Sequence, residues 1–267
     1  MKRGEGMPAK SIDVNTFHVI AHRGASAYAP ENTMAAFQKA VEMGAREVET
    51  DVGFTKDGQL LLLHDGTLDR TTSGHGSPDD YILAELKELD AGSWWTPEVE
   101  PSFAWASDYT GEKLITLKEL FREFGDALVY HIEIKRPAHG LVSAVIDCTR
   151  SYGLVDHVYV ATVDDELPLR EARNLEPWIK TSLAIGRRLE RLGEGTLHAA
   201  AGNGVAMVAF AAENIDPSLV RLAQDLGLEA RGFGIRTKAD MIAAIAAGCD
   251  GMSINWPDWL LDYLQTH

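Results

Sequence analysis

Residues 47–65 read EVETDVGFTKDGQLLLLHD and predict two β-strands joined by a tight turn. Asp57-Gly58 is a strong signal for a two-residue hairpin loop, whereas a parallel crossover would need a dozen or more residues. The run 59–64 must therefore return antiparallel to 47–56. With Asp57-Gly58 as the loop, this pairing places His64 directly opposite Asp51.

Outside the hairpin, β-rich runs alternate with helix signals along the chain. Thr116 begins a capping box, Asp216-Pro217 places a cap before a first-turn proline, Thr237 opens a later helix, and Asn32 is the expected cap of the first helix. The predicted barrel strands are 17–21, 47–52, 128–135, 157–162, 179–184, 205–210, 229–235 and 251–254. Eight strands separated by helices predict an α/β fold, the (β/α)8 TIM barrel.

We expect one catalytic domain over 17–267, preceded by an N-terminal extension over 1–16. Residues 66–115 contain no predicted barrel strand, and they hold a short helix around 83–89 and the pair Trp94-Trp95. This segment is interpreted as a small insertion after the second-strand hairpin, over one mouth of the barrel. Connections of this length are usually functional.

The composition excludes several classes of protein. The 267 residues carry 40 acidic against 25 basic side chains and a net charge of −15, which argues against nucleic acid as a partner. No apolar run, apolar anchor or basic amphipathic helix predicts stable membrane association, and the first residues lack the apolar middle of a signal peptide. Cys148 and Cys249 are expected to be buried thiols. A cytoplasmic protein is therefore expected, and no feature favours a particular oligomeric state.

Strand alternation brings acidic side chains together. Glu49 and Asp51 are two residues apart and share one face of a strand, and Glu133 shares a face with His131 and Lys135. Three carboxylates that converge without a cation repel one another strongly. One hard divalent cation, Mg²⁺ or Ca²⁺, would resolve that repulsion and offer open positions to phosphate oxygens.

A structural network of salt bridges is the alternative interpretation of the same residues. In that network Lys135 and Arg23 alone would have to neutralise the three acids. Arg23 has two candidate roles, because its planar fork suits a phosphodiester but it could equally pair with Glu31 or with one of the acids.

Two histidines are the candidates for proton transfer. His22 ends the first strand, where barrel enzymes place their catalytic groups, and His64 ends the returning hairpin strand beside the acids. Two histidines that flank a metal suit acid–base chemistry, in which one takes a proton from a nucleophile and the other gives one to a leaving alcohol.

At this point the sequence resembles the glycerophosphodiester phosphodiesterase family, of the bacterial cytoplasmic type. The similarity runs in order from about residue 19 to 136 and weakly onward through Asp250-Gly251 and Pro257. The matching stretches are His22-Arg23-Gly24, Pro30-Glu31-Asn32-Thr33, Glu49-Thr50-Asp51-Val52, Thr55-Lys56-Asp57-Gly58, His64-Asp65, Leu68-Asp69-Arg70-Thr71-Thr72, Asp90-Ala91-Gly92-Ser93-Trp94 and Ile132-Glu133-Ile134-Lys135.

The resemblance implies a metal-dependent barrel enzyme that hydrolyses small glycerophosphodiesters to glycerol 3-phosphate and an alcohol. It also implies roles for individual residues. His22 and His64 would be the acid/base pair, Glu49, Asp51 and Glu133 the metal ligands, Arg23 and Lys135 the phosphate contacts, and Trp94 and Phe233 further substrate-binding residues.

The sequence departs from the family pattern near the expected alcohol pocket. His131 stands where a smaller polar residue is usual, so that it either joins the metal ligands or repels a positive group. Phe233 replaces a tryptophan, Asn255 replaces an aspartate, and Ala161-Thr162-Val163 replaces a serine-rich strand end. These changes leave the reaction type intact and bear on the leaving group.

Three alternative functions remain open. A cyclising lyase similar to phospholipases C or D would stop at a cyclic phosphate. An aldolase or sugar isomerase could use a metal, acids and histidines on a barrel, although no carbonyl-activating lysine is evident. A catalytically silent metal-binding barrel would serve as a binding module, although the two histidines and the three acids are all present.

Overall fold

Eight parallel strands close into a barrel in the computed structural model, which describes residues 16–97 and 108–266. The predicted TIM barrel is confirmed, and each predicted strand lies within two residues of its observed position. The described strands are β1 (His18–His22), β2 (Glu47–Phe54), β3 (Leu60–Leu62), β4 (Val129–Glu133), β5 (Val158–Val163), β6 (Lys180–Ile185), β7 (Met207–Ala211), β8 (Glu229–Phe233) and β9 (Gly251–Ile254). The order β1-β9-β8-β7-β6-β5-β4-β2 is closed by pairing of β1 with β2. Among the described strands, β3 pairs with β2, outside the closed barrel.

Helices surround the barrel and follow most of its strands. They are α1 (Met34–Glu42), α2 (Leu83–Leu86), α3 (Leu117–Phe124), α4 (Leu141–Ser151), α5 (Leu167–Leu175), α6 (Glu194–Gly202), α7 (Pro217–Asp225), α8 (Lys238–Ala246) and α9 (Pro257–Thr266). None of the helices in the described ranges is long and apolar enough to cross a membrane.

The predicted helix caps are confirmed at three of four positions. Thr116, Asp216 and Thr237 accept hydrogen bonds from the first turns of α3, α7 and α8. The prediction that Asn32 caps α1 was wrong, because Thr33 has the extended backbone that a cap requires and its hydroxyl accepts from the Ala36 N–H. Asn32 is instead left-handed, with φ of 57°.

The hairpin forms as predicted, but its register differs by one residue. Val52 pairs with Leu62, and the Leu63 N–H donates to the Asp51 carbonyl at 3.1 Å. His64 therefore does not lie opposite Asp51, as the sequence predicted. The loop has three residues, 56–58, because Gly58 adopts φ of 73° and the Thr55 N–H donates to the Gln59 carbonyl. Such a loop with a left-handed glycine is the next most common hairpin connection after the two-residue one.

The barrel has an apolar outer face and a partly polar interior. Tyr130 and Ile132 of β4 belong to the main core, together with apolar residues of the helices. Residues at alternate positions, such as His131 and Glu133, point the other way, into the barrel. Cys148 and Cys249 are buried free thiols, as predicted. The strand alternation thus places polar and charged side chains inside the barrel. The apolar core between the strands and the helices stabilises the fold.

The described parts of the predicted insertion, 66–97 and 108–115, form a small structure beside the hairpin. They contain α2, and their residues Leu68 and Leu86 share a buried cluster with Leu61 of β3. Residues 98–107 and residues 1–15 of the predicted N-terminal extension lie outside the described residues. The proposed domain boundaries stay a prediction.

Gly24 follows directly on His22-Arg23 and allows a strained turn there. Its φ is 82°, and a Cβ would lie 2.6 Å from the Ala36 carbonyl carbon. We expect Gly24→Ala to lower the free energy of unfolding by more than about 3 kcal/mol, since backbone strain and overlap add. Urea denaturation measures this loss.

Gly58→Ala is the matched control, because Gly58 has a similar φ of 73° but no atom lies within 4 Å of the place that a Cβ would take. Its expected cost is about 1 kcal/mol. Equal losses in the two variants would contradict the close packing inferred at Gly24.

Candidate active site

Three carboxylates converge at the carboxyl ends of β2 and β4. Asp51 is paired in register with Glu133, and Glu49 lies one inward position earlier on β2. One oxygen of each residue lies within 4.8 Å of the others. The structure therefore brings together the three acids that the sequence singled out, and Glu49 and Asp51 are almost fully buried.

The cluster is short of positive charge. Burial, followed by the charges of Asp51 and Glu133, raises the pKa of Glu49 well above its ordinary value. Burial would also raise the pKa of Asp51, but Arg23, Lys135 and His64 outweigh it and hold that pKa below its ordinary value. Neighbouring positive charges thus compensate the negative charge of Asp51 but not that of Glu49.

The predicted salt bridges are present, but they do not reach all three acids. Lys135 Nζ lies 3.0 Å from Asp51 Oδ1 and 3.5 Å from Glu133 Oε1, and Arg23 Nε lies 3.4 Å from Asp51 Oδ2. Within the described residues, no lysine or arginine side chain forms a salt bridge with the Glu49 carboxylate. The network alone therefore leaves the charge of one buried acid, Glu49, without an opposite side-chain charge in ion-pair contact.

The donor set fits one hard divalent cation. Mg²⁺ and Ca²⁺ take oxygen ligands at about 2.0–2.6 Å, so that opposite ligand oxygens lie about 4–5 Å apart. The three carboxylates meet this limit, because one oxygen of each lies within 4.8 Å of the others. The uncompensated Glu49 adds a second reason for a cation, because a buried like-charge cluster is costly without one.

Arg23 is held at the edge of the cluster by Glu31. Its Nη1 donates to Glu31 Oε1 at 2.8 Å, the alternative partner considered from the sequence. The Arg23 N–H also donates to Glu49 Oε2 at 3.2 Å. The backbone of Arg23 is left-handed, with φ of 58°, and at this turn both its guanidinium and its N–H face the acids.

Asn32 is a site residue that the sequence reasoning placed elsewhere. Its side-chain N–H donates to Asp51 Oδ2 at 3.2 Å, and its oxygen accepts from the Thr50 hydroxyl at 2.8 Å. Buried Asn32 therefore orients one carboxylate oxygen of the cluster. The available signal was its position in Pro30-Glu31-Asn32-Thr33, directly before the true cap.

His22 lies beside the acids with a defined tautomer. Its Nδ1 is 2.8 Å from Asn255 Oδ1, so Nδ1 carries the proton and Nε2 has the lone pair. Nε2 lies 3.8 Å from Glu49 Oε2. Burial and then the charge of Arg23 lower the pKa of His22 to about 3, so the imidazole is neutral.

His64 follows β3 and is paired with a carboxylate. Its Nδ1 lies 2.5 Å from Asp65 Oδ1, and Arg70 Nε donates to Asp65 Oδ2 at 2.6 Å. Hydrogen bonds from Arg70 lower the pKa of Asp65 and keep it ionised. An ionised carboxylate can only accept, so His64 Nδ1 donates to Asp65 and this contact fixes the orientation of the ring.

A cavity of about 190 Å³ opens beside the cluster. Glu49 and Glu133 line it together with His22 and Phe233. Phe233 thus lies where a substrate group could contact it, with the Arg187 guanidinium 5.6 Å from the centre of its ring. Trp94 does not line this cavity; its Nε1 donates to the Ala91 carbonyl and Arg70 lies over its ring.

A second polar layer lies deeper in the barrel, and the sequence reasoning missed it. Glu47 accepts from His131 Nε2 at 2.8 Å and lies 2.7 Å from His18 Nδ1. His131 also stacks on Tyr159 at 4.6 Å. His131 is therefore a partner of Glu47, and it neither joins the three acids nor faces them. The missed signal was that Glu47 has the same strand parity as Glu49.

Comparison with known proteins agrees with this geometry. The sequence model of the glycerophosphoryl diester phosphodiesterase family matches residues 22–259. The chain belongs to this family. The predicted family and enzyme class, a phosphoric diester hydrolase, are thereby confirmed.

Similar proteins cover nearly the whole chain. A glycerophosphodiester phosphodiesterase of Caldanaerobacter subterraneus subsp. tengcongensis is 33% identical over 92% of this chain and 97% of its own length. A putative family member from Silicibacter pomeroyi has the same fold, with a TM-score of 0.82 at 24% identity over 98% of this chain and 95% of its own. An Oleispira antarctica phosphodiesterase, solved in complex with the product sn-glycerol-3-phosphate, has a TM-score of 0.79 at 25% identity, over 93% of this chain and 96% of its own.

The buried His131 makes stability depend on pH. Burial lowers its pKa to about 4, and its Nδ1 has no hydrogen-bond partner that could accept a proton from it. The unfolded chain takes up this proton near pH 6.5, so between pH 6.5 and 4 the unfolded state binds more protons and stability falls as pH falls.

We expect the protonation of His131 to lower the free energy of unfolding by about 2 kcal/mol when the pH falls from 7 to 5. His131→Gln keeps a donor for Glu47 but does not titrate, so its loss over the same interval should be smaller by that amount. Urea unfolding at the two pH values measures both. Identical losses in the wild type and the variant would show that His131 is not held neutral.

Proposed function

We propose that this protein hydrolyses small glycerophosphodiesters to glycerol 3-phosphate and an alcohol, with one divalent cation, Mg²⁺ or Ca²⁺, bound by Glu49, Asp51 and Glu133. The observation that carries the proposal is the uncompensated Glu49 within a three-carboxylate cluster beside His22 and a cavity. Family membership supports the reaction class, and the product bound by the Oleispira relative supports the choice of glycerol 3-phosphate.

The phosphodiester would lie between the cluster and the basic side chains at its edge. The bound cation would supply positive charge to the non-bridging oxygens as charge develops in the transition state. Arg23 and Lys135 are the proposed phosphate contacts on the protein, because both lie within 3.5 Å of the Asp51 carboxylate. Phe233 and Trp94 are the proposed contacts to the rest of the substrate. Trp94 does not line the cavity, so it would contact only a part of the substrate that extends beyond the cavity.

His22 is the proposed general base. Its neutral state and its bond to Asn255 leave the Nε2 lone pair available near the acids. Nε2 would take the proton of the glycerol 2-hydroxyl while the 2-oxygen attacks phosphorus and the bond to the leaving alcohol breaks. Attack by water is the variant of this step.

His64 is the proposed general acid. Asp65 orients its ring through Nδ1, and Nε2 would give a proton to the oxygen of the departing alcohol. Water then opens the cyclic phosphate, with the two histidines exchanging roles. A cyclising lyase would stop before this second step and accumulate the cyclic product.

Replacing either histidine tests the assignment. His22→Ala and His64→Ala should each lower the rate of glycerol 3-phosphate release by on the order of 100-fold or more, because each removes a proton-transfer group. His139→Ala, at an exposed histidine outside the cavity, is the control and should keep wild-type turnover.

A diester with an activated leaving group, the p-nitrophenyl ester of glycerol 3-phosphate, distinguishes the general acid from the general base. This leaving group needs no proton, so it should restore turnover in His64→Ala and leave His22→Ala slow. The reverse pattern would exchange acid and base, and near-normal turnover of either variant on ordinary diesters would refute the pair.

A further inference from the structure

A buried arginine without a carboxylate partner lines the same cavity as the acids. Arg231 is 4% exposed, and its Nε and Nη1 atoms are buried without a hydrogen-bond partner. Over residues 16–97 and 108–266, no carboxylate forms a salt bridge with its guanidinium. Arg23 and Lys135 differ in this respect, because both are paired with acids.

The strand register makes room for this side chain. Arg231 occupies an inward position of β8 and is paired in register with Ala209 of β7 and Gly251 of β9. Both neighbours are small, and Gly251 can hardly be larger, because a Cβ there would lie 2.3 Å from His18 Cβ. The barrel therefore has space for a guanidinium, but its described residues give Nε and Nη1 no acceptor.

The charge of Arg231 is incompletely balanced. Burial lowers its pKa below the ordinary value, and the attraction of Glu49, Glu133 and Glu47 does not restore it. The guanidinium stays protonated all the same. A buried charge with unused donors is costly unless an anion accepts from it, and such violations are expected at functional sites.

We propose that Arg231 is an anion-binding residue of this cavity and donates to the phosphate oxygens of the substrate. The identity of the anion rests on the proposed function, whereas the site itself rests on the contacts of Arg231. The forked guanidinium, with five donors, suits a phosphate group. Its contact would complement those of Arg23 and Lys135, which are both ion-paired with carboxylates.

Inorganic phosphate is the probe that tests this site without turnover. Calorimetric titration of phosphate into the Mg²⁺-loaded protein should show binding that weakens roughly 10- to 100-fold in Arg231→Met, since a charge-assisted hydrogen bond is lost. Arg231→Lys keeps the charge without the fork and should fall between. Arg221→Met removes one exposed arginine on α7 and should leave the affinity unchanged.

Titration of Mg²⁺ into the same variants identifies the other possible roles of Arg231. If Arg231 merely offsets the acids, Arg231→Met will bind Mg²⁺ more tightly and phosphate as well as the wild type, which overturns the proposal. If Mg²⁺ and phosphate binding are lost together, Arg231 shapes the cation site and the proposal is likewise wrong. Tight phosphate binding by a wild type that hydrolyses no diester would contradict the proposed function alone.

Discussion

The mutual repulsion of Glu49, Asp51 and Glu133 is the constraint around which this site is built. Strand alternation and the register of β2 with β4 force the three side chains into one buried place. Arg23 and Lys135 reach Asp51 and Glu133 but leave Glu49 uncompensated. Such a cluster is costly to bury unless its negative charge has a use, and binding of a divalent cation with open positions is the use that we propose.

Much of the surrounding structure supports these few atoms. Asn32 orients Asp51, Asn255 fixes the tautomer of His22, and Glu47 holds His131 beneath the cluster. Two residues that contact the acids, Arg23 and Asn32, lie in main-chain turns with left-handed backbone. The apolar layer between strands and helices provides the stability that allows a polar interior.

The sequence alone predicted the barrel and the acidic cluster, because both depend on local periodicity and on residue type. It missed features that depend on exact register or on distant strands. The predicted register of the hairpin was wrong by one residue, because the sequence Asp57-Gly58 is compatible with a three-residue loop as well as with a two-residue loop. Asn32 was assigned to a cap because its contact to Asp51 is made across the fold. Arg231 was overlooked because β8 reads as an ordinary strand until its inward face is known.

The central claim is that a cation bound to this carboxylate cluster is required for hydrolysis of glycerophosphodiesters. Release of glycerol 3-phosphate from a panel of diesters, after chelation and again after addition of Mg²⁺ or Ca²⁺, tests it most directly. The account predicts that release stops with the chelator, returns with one of the two ions, and differs among alcohols. Release that is unaffected by chelation, or none from any diester with the cation bound, would contradict it.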